Sequence, residues 1–125
     1  MIVGNKKSRA ARELYNARSN KAIQFALAEI KKSDIGSYVQ HVYLYGSCAR
    51  NEQSYGSDVD LLVELNESFR AVKRKFALSS ALRGSLNAHN EIFPDIEVIF
   101  VIGRQWITDN TVFFANVRKD CKKIV

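Results

Sequence analysis

Two carboxylates at alternate positions, Asp58 and Asp60, open the run Ser57-Asp58-Val59-Asp60-Leu61-Leu62-Val63, which otherwise has the composition of a β-strand. Successive side chains of a strand point to opposite faces, so Asp58 and Asp60 share one face and Val59, Leu61 and Val63 the other. Carboxylates held side by side repel and raise one another's pKa unless positive charge sits between them. Hard oxygen ligands on one face suit Mg²⁺, which is usually held by one or two carboxylates together with the phosphates of a substrate. The pattern therefore predicts half of a metal-nucleotide site.

Upstream, Val42-Tyr43-Leu44-Tyr45 reads as a strand ending in Gly46-Ser47-Cys48-Ala49-Arg50. Glycine lets the backbone approach a ligand closely, and Ser47 offers a hydroxyl and an amide to phosphate oxygens. A helix opening near Cys48 would aim its first amides the same way. Turn and carboxylates are thus expected to converge on one triphosphate.

With these residues in this order and at this spacing, the chain resembles the minimal nucleotidyltransferases of the DNA polymerase beta superfamily, whose signature runs Gly-Ser, a nearby Arg, then Ser-Asp-x-Asp. The resemblance covers Tyr43 to Leu65 closely and extends loosely to the C-terminus. It implies an α+β fold: a small mixed sheet with helices packed on one face and the carboxylate face open as a cleft. It further implies two Mg²⁺ ions and transfer of a nucleoside monophosphate, AMP from ATP, to a hydroxyl. Gly46, Ser47, Arg50 and Ser57 would then serve the nucleotide, Ser57 chiefly by fixing the turn before the first carboxylate.

The same chemistry needs a third carboxylate to help hold metal and draw a proton from the attacking hydroxyl. Pro94-Asp95-Ile96-Glu97-Val98-Ile99-Phe100-Val101-Ile102 is the other strongly strand-like run. Asp95 and Glu97 face one side of it. Glu97 aligns where similar proteins commonly carry Asp, and Asp95 is the alternative. A Glu there departs from the commonest pattern, and its longer side chain bears on how fully catalysis is retained.

The resemblance to the minimal family also implies a partner: a helical ribonuclease toxin of the HEPN type, silenced by an antitoxin that in several systems adenylylates a toxin tyrosine. A different class of reading is a noncatalytic subunit that masks a partner by contact. A third is an adenylyltransferase for a small molecule such as an aminoglycoside, although related enzymes of that kind generally carry an additional helical domain.

Several residues have plainer readings. Asp58 can cap a turn and Asp60 can be a solvated edge residue. Arg50 can form a surface ion pair with Glu52 or Glu64. Cys48 reads as a loop thiol, because no His stands at a position that suggests pairing. Tyr43, Tyr45, Phe100 and Trp106 read as core, since aromatic residues dominate burial in small domains. His41 and His89 receive no role.

At 125 residues, the chain reads as one domain, residues 1–125, with an ordinary globular composition of 46% hydrophobic and 26% charged residues. Its net charge of +6 is concentrated in Lys6, Lys7, Arg9, Arg12, Arg18 and Lys21, in Arg70, Lys73, Arg74 and Lys75, and in Arg118, Lys119, Lys122 and Lys123. Such clusters admit a nucleic-acid partner, but no aromatic interleaving or helix-turn-helix pattern supports one. No apolar run approaches 18 residues, no signal peptide opens the chain, and Cys48 and Cys121 lie far apart in sequence. A reduced, cytoplasmic protein with no membrane span is the expectation.

The elements that must position the site follow from periodicity. Ala10 to Lys32 reads as a helix with Ile23, Ala26, Leu27 and Ile30 as its apolar stripe, its basic first part lacking that stripe. Ser33 to Ser37 breaks it. After the acidic strand, Asn66-Glu67-Ser68 starts a second amphipathic helix through Phe69, Val72, Phe76, Leu82 and Leu86. A polar connector, Asn87 to Pro94, leads to the strand Ile96 to Ile102, and Trp106 to Lys119 forms a final helix with Val112, Phe113, Phe114 and Val117 as apolar content.

Overall fold

Ala, Leu, Glu and Lys, all strong helix formers, dominate the first element of the computed structural model, which describes residues 9–52, 58–88 and 94–125. This helix, α1, spans Arg9–Lys32, and Ala22, Ile23, Ala26 and Ile30 are its buried stripe. It ends in a 3₁₀ turn, Gly36–Tyr38, that delivers the chain to strand β1, Val39–Tyr45. A single helical turn, α2 (Gly46–Ala49), leads toward β2, Val59–Leu65.

The segment after β2 departs from expectation. A 3₁₀ turn, Glu67–Ala71, capped by the Asn66 side chain, precedes the helix α3, which begins only at Lys75 and runs to Leu86. Because the chain breaks at Val72, Phe76 falls out of phase with the buried side: it is 79% exposed, while Phe69, Leu82 and Leu86 are buried. Strand β3 occupies Ile96–Ile102 as its β-branched run predicts. The expected final helix is likewise split, into a 3₁₀ turn at Gln105–Ile107 and α4, Val112–Asp120. Asp109 and Asn110 sit between them, and Thr111 caps α4 by accepting from the Phe114 amide. A two-residue strand unforeseen in the sequence, β4 (Lys122–Lys123), closes the order β3-β2-β1-β4.

In this four-stranded sheet β1 is antiparallel to β2 and β4, and β2 is parallel to β3. One face carries Val42, Leu44, Val59, Leu61, Val63, Leu65, Ile96 and Val98, all buried with α1 and α3. The opposite face carries Tyr43, Tyr45, Asp60, Leu62, Glu64 and Glu97. Helices α1 and α3 share one face, as expected. The other face is not wholly open, however: Trp106 and Val117 pack onto Tyr43 and Leu62 and cover its middle. What stays outside that cover is the end carrying Asp60 and Glu97. Among the described residues no helix is long and apolar enough to cross a membrane. Lys6, Lys7 and His89, singled out in the sequence, lie outside the described residues.

The covered face holds one buried acid. Glu64 is 0% exposed and accepts from the Trp106 indole N–H at 2.8 Å and from Arg104 at 3.4 Å. Glu64 is thus not the partner of Arg50. Replacing Glu64 by Ala strands the indole donor in a buried place and should cost about 1–3 kcal/mol. Thermal unfolding should show it as a melting temperature lower by several degrees, with Glu64→Gln recovering part of the loss.

Candidate active site

The register of the sheet brings the acidic residues into one row. Tyr45 of β1 lies opposite Asp60 of β2, and Asp60 lies opposite Glu97 of β3. Directly opposed residues on neighbouring strands have their side chains on the same face and within interaction distance. Asp58, two residues before Asp60, belongs to the same side of the backbone. Its own carbonyl accepts from the Cys48 thiol at 3.5 Å, and the Asp95 carbonyl accepts from the Val59 amide at 2.8 Å, which fixes how β2 and β3 begin.

Electrostatics report the same neighbourhood. The Asp60 carboxyl is pushed up to about 6, first by burial, then by the charge of Asp58, then by that of Glu97. Of the two acids near the start of β3, Glu97 is the one that the register sets opposite Asp60. The Tyr45 hydroxyl is driven well above the ordinary phenol range by burial and by Asp60 and Glu97. Burial and like charge together penalise the ionised Asp60, a cost the folded chain carries in return for a local excess of negative potential.

Among the described residues, no group of three or more His, Cys, Asp or Glu side chains is gathered closely enough to hold a metal ion as it stands. Asp58 and Glu97 are exposed and Asp60 is half-buried. The donor set nevertheless fits a hard divalent cation: all oxygen, all carboxylate, with an acid, Asp60, whose ionised form is penalised first by burial and then by its negative neighbours.

Gly46 is shaped by this row. Its φ of +76° lies in the left-handed region, and a Cβ built on it would stand 2.5 Å from Asp60 Oδ2. A side chain here is strained by the backbone and forces either the turn or the Asp60 carboxylate to give way. Ser47 follows on α2, which at four residues is far shorter than the helix expected at Cys48 and contributes little macrodipole. The turn is locked by its own backbone: the Ser47 carbonyl accepts from the Arg50 and Glu52 amides at 3.1 and 2.8 Å.

Arg50 is committed elsewhere. Its guanidinium donates to Glu52 at 2.9 Å and to Asp120 at 2.8 Å, tying the Gly46-Ser47 turn to the end of α4. Nothing in the sequence signals Asp120, because the pairing spans 70 positions. Cys48 is buried and within 3.7 Å of the Ser19 hydroxyl, and burial pushes its thiol up, so it stays protonated and packs as a small apolar group. Ser57 lies outside the described residues.

The pKa of Asp60 makes a stability prediction. Its carboxyl is pushed up to about 6 in the fold from the ordinary aspartate value of 3.8, so the folded chain binds that proton more tightly than the unfolded one. The associated stability is full below the unfolded value and is lost as pH rises through the folded value. In divalent-free buffer the melting temperature should fall between pH 5 and pH 7 by more in the native chain than in Asp60→Asn. The difference is on the order of 1 kcal/mol, reduced by solvent screening at this half-buried position. Equal slopes in the two proteins would refute it.

Comparison with known proteins agrees with this architecture. A family model described as a nucleotidyltransferase domain matches residues 26–114. That span includes β1, the Gly46-Ser47 turn, Asp58, Asp60 and Glu97. A crystal structure of a proposed nucleotidyltransferase from Sulfolobus solfataricus is similar with a TM-score of 0.56 and 15% identity, covering 90% of this chain and 85% of that one. At that identity the likeness is one of fold. No curated protein matches the sequence at a significant level.

Proposed function

Because the chain belongs to the nucleotidyltransferase domain family, we propose that it transfers a nucleoside monophosphate, AMP from ATP, to a hydroxyl on a partner protein in a Mg²⁺-dependent reaction, as the antitoxin of a HEPN-type pair. The observation that carries the chemistry is the row Asp60–Glu97 set against Gly46, with Asp58 adding charge at its edge. The partner rests on resemblance to the minimal nucleotidyltransferases.

In this reading Asp58, Asp60 and Glu97 would hold two Mg²⁺ ions. When bound, Mg²⁺ offsets the charge on the reacting and departing phosphate oxygens. Gly46 lets the turn lie close against Asp60, and Ser47 donates to the β- and γ-phosphate oxygens of the nucleotide. Glu97, the exposed acid of the row, accepts the proton of the acceptor hydroxyl. The acceptor oxygen then bonds to the α-phosphorus, the bond to the bridging β-phosphate oxygen breaks, and pyrophosphate leaves with the electron pair. Arg50 holds the turn in place through Glu52 and Asp120.

Incubating the purified chain with ATP, Mg²⁺ and a HEPN-type protein encoded beside it tests this directly by intact mass. A gain of one nucleoside monophosphate on the partner is expected. A tight complex without mass gain would favour the second reading, a subunit that masks its partner by contact. The ungathered carboxylates and a Glu at the third position speak for that alternative.

A further inference from the structure

Beyond the carboxylates, the row Glu97–Asp60–Tyr45 continues onto an aromatic step. Tyr45 meets Phe113 of α4 edge-on, with ring centroids 6.1 Å apart at 88°, and Phe113 meets Phe114 at 5.1 Å. Phe114 packs into the cluster under α4, whereas Phe113 is 45% exposed and its neighbour Val112 is 76% exposed. Two large apolar side chains therefore stand in water at the rim of a charged site, where burial would otherwise be favoured.

The step is also tied to the Gly46-Ser47 turn. Tyr45 is the residue before Gly46. Helix α4 is fixed at its start by Thr111 and Asp109, whose carboxylate accepts from the Thr111 amide at 2.8 Å, and at its end by the Asp120–Arg50 ion pair. Phe113 thus stands one aromatic ring from Tyr45, the residue that leads into Gly46.

Resting on the functional reading above, we infer that Phe113, with Val112 and Tyr45, is the stacking platform for the nucleobase of the nucleoside triphosphate. An aromatic face binds any base by its π-surface and reads none of its edges. Larger bases cover more of it, so purine nucleotides bind better than pyrimidine ones, with little discrimination between ATP and GTP.

The test is calorimetric binding of ATP, GTP, CTP and inorganic tripolyphosphate, each with Mg²⁺, to the native chain, Phe113→Ala and Phe113→Trp. Base stacking of the usual strength predicts that Phe113→Ala weakens ATP and GTP binding by about 5- to 100-fold. Tripolyphosphate binding should be unchanged, which also shows that the variant is folded, and Phe113→Trp should bind ATP at least as tightly as the native chain. Equal losses for ATP and tripolyphosphate, or no loss for either, overturn the platform. Unchanged ATP binding with reduced transfer to a partner would assign the step to the acceptor and overturn it as well. Native chain that binds neither ATP nor tripolyphosphate removes the functional reading itself, and the platform with it.

Discussion

Replacing Asp58 and Asp60 together by Asn is expected to lower nucleotidyl transfer on the order of a thousandfold while the fold persists and, at neutral pH, gains stability. The two effects share one cause. Asp60 is penalised in the folded chain by burial and by the charges of Asp58 and Glu97. Neutral amides of the same shape remove that penalty and, with it, the negative field that would attract a divalent cation. Transfer assays and thermal melts on the same preparation separate the outcomes. A variant that melts lower than the native chain contradicts the repulsion, and one that keeps full transfer removes the two carboxylates from the chemistry.

The second large effect is expected at Gly46. Alanine there must adopt a left-handed backbone, which costs about 1 kcal/mol, and its Cβ would collide with an Asp60 oxygen 2.5 Å away. Either the turn or the carboxylate must shift, and misplacement near 1 Å in such a site typically costs about 100-fold in rate. The loss should appear in transfer far more than in melting temperature. Comparable losses in Gly46→Ala and in a control such as Gly84→Ala would deny Gly46 a special place, since nothing lies within 4 Å of a Cβ at Gly84.

Much of the site was legible because strand geometry is simple. Alternation along Ser57 to Val63 predicts Asp58 and Asp60 on one face, and the apolar run to Ile102 predicts a second strand that carries Glu97. Which strand pairs with which, and in what register, is a property of the sheet, so it is the structure that sets Glu97, already preferred to Asp95 by its place in the run, opposite Asp60. Of the two partners read for Arg50, Glu52 is present and Glu64 is not; Asp120 went unread for a related reason, being distant in sequence and brought to the turn by α4. Phe76 and Phe113 both looked like helix core. Short breaks at Val72 and at Asp109 to Thr111 rotate the helices that follow, and periodicity read across such a break assigns the wrong face.

Titration of the Asp60 carboxyl by carbon NMR, with and without Mg²⁺ and a nucleoside triphosphate, bears most directly on the claim that this acidic row is a cation site beside a phosphate turn. Without divalent ions the group should titrate near 6. With both ligands present its pKa should fall to about 4 or below, as positive charge replaces like-charge repulsion. A carboxyl that titrates in the ordinary range from the start, or one whose pKa does not move when Mg²⁺ and nucleotide are added, would contradict the account.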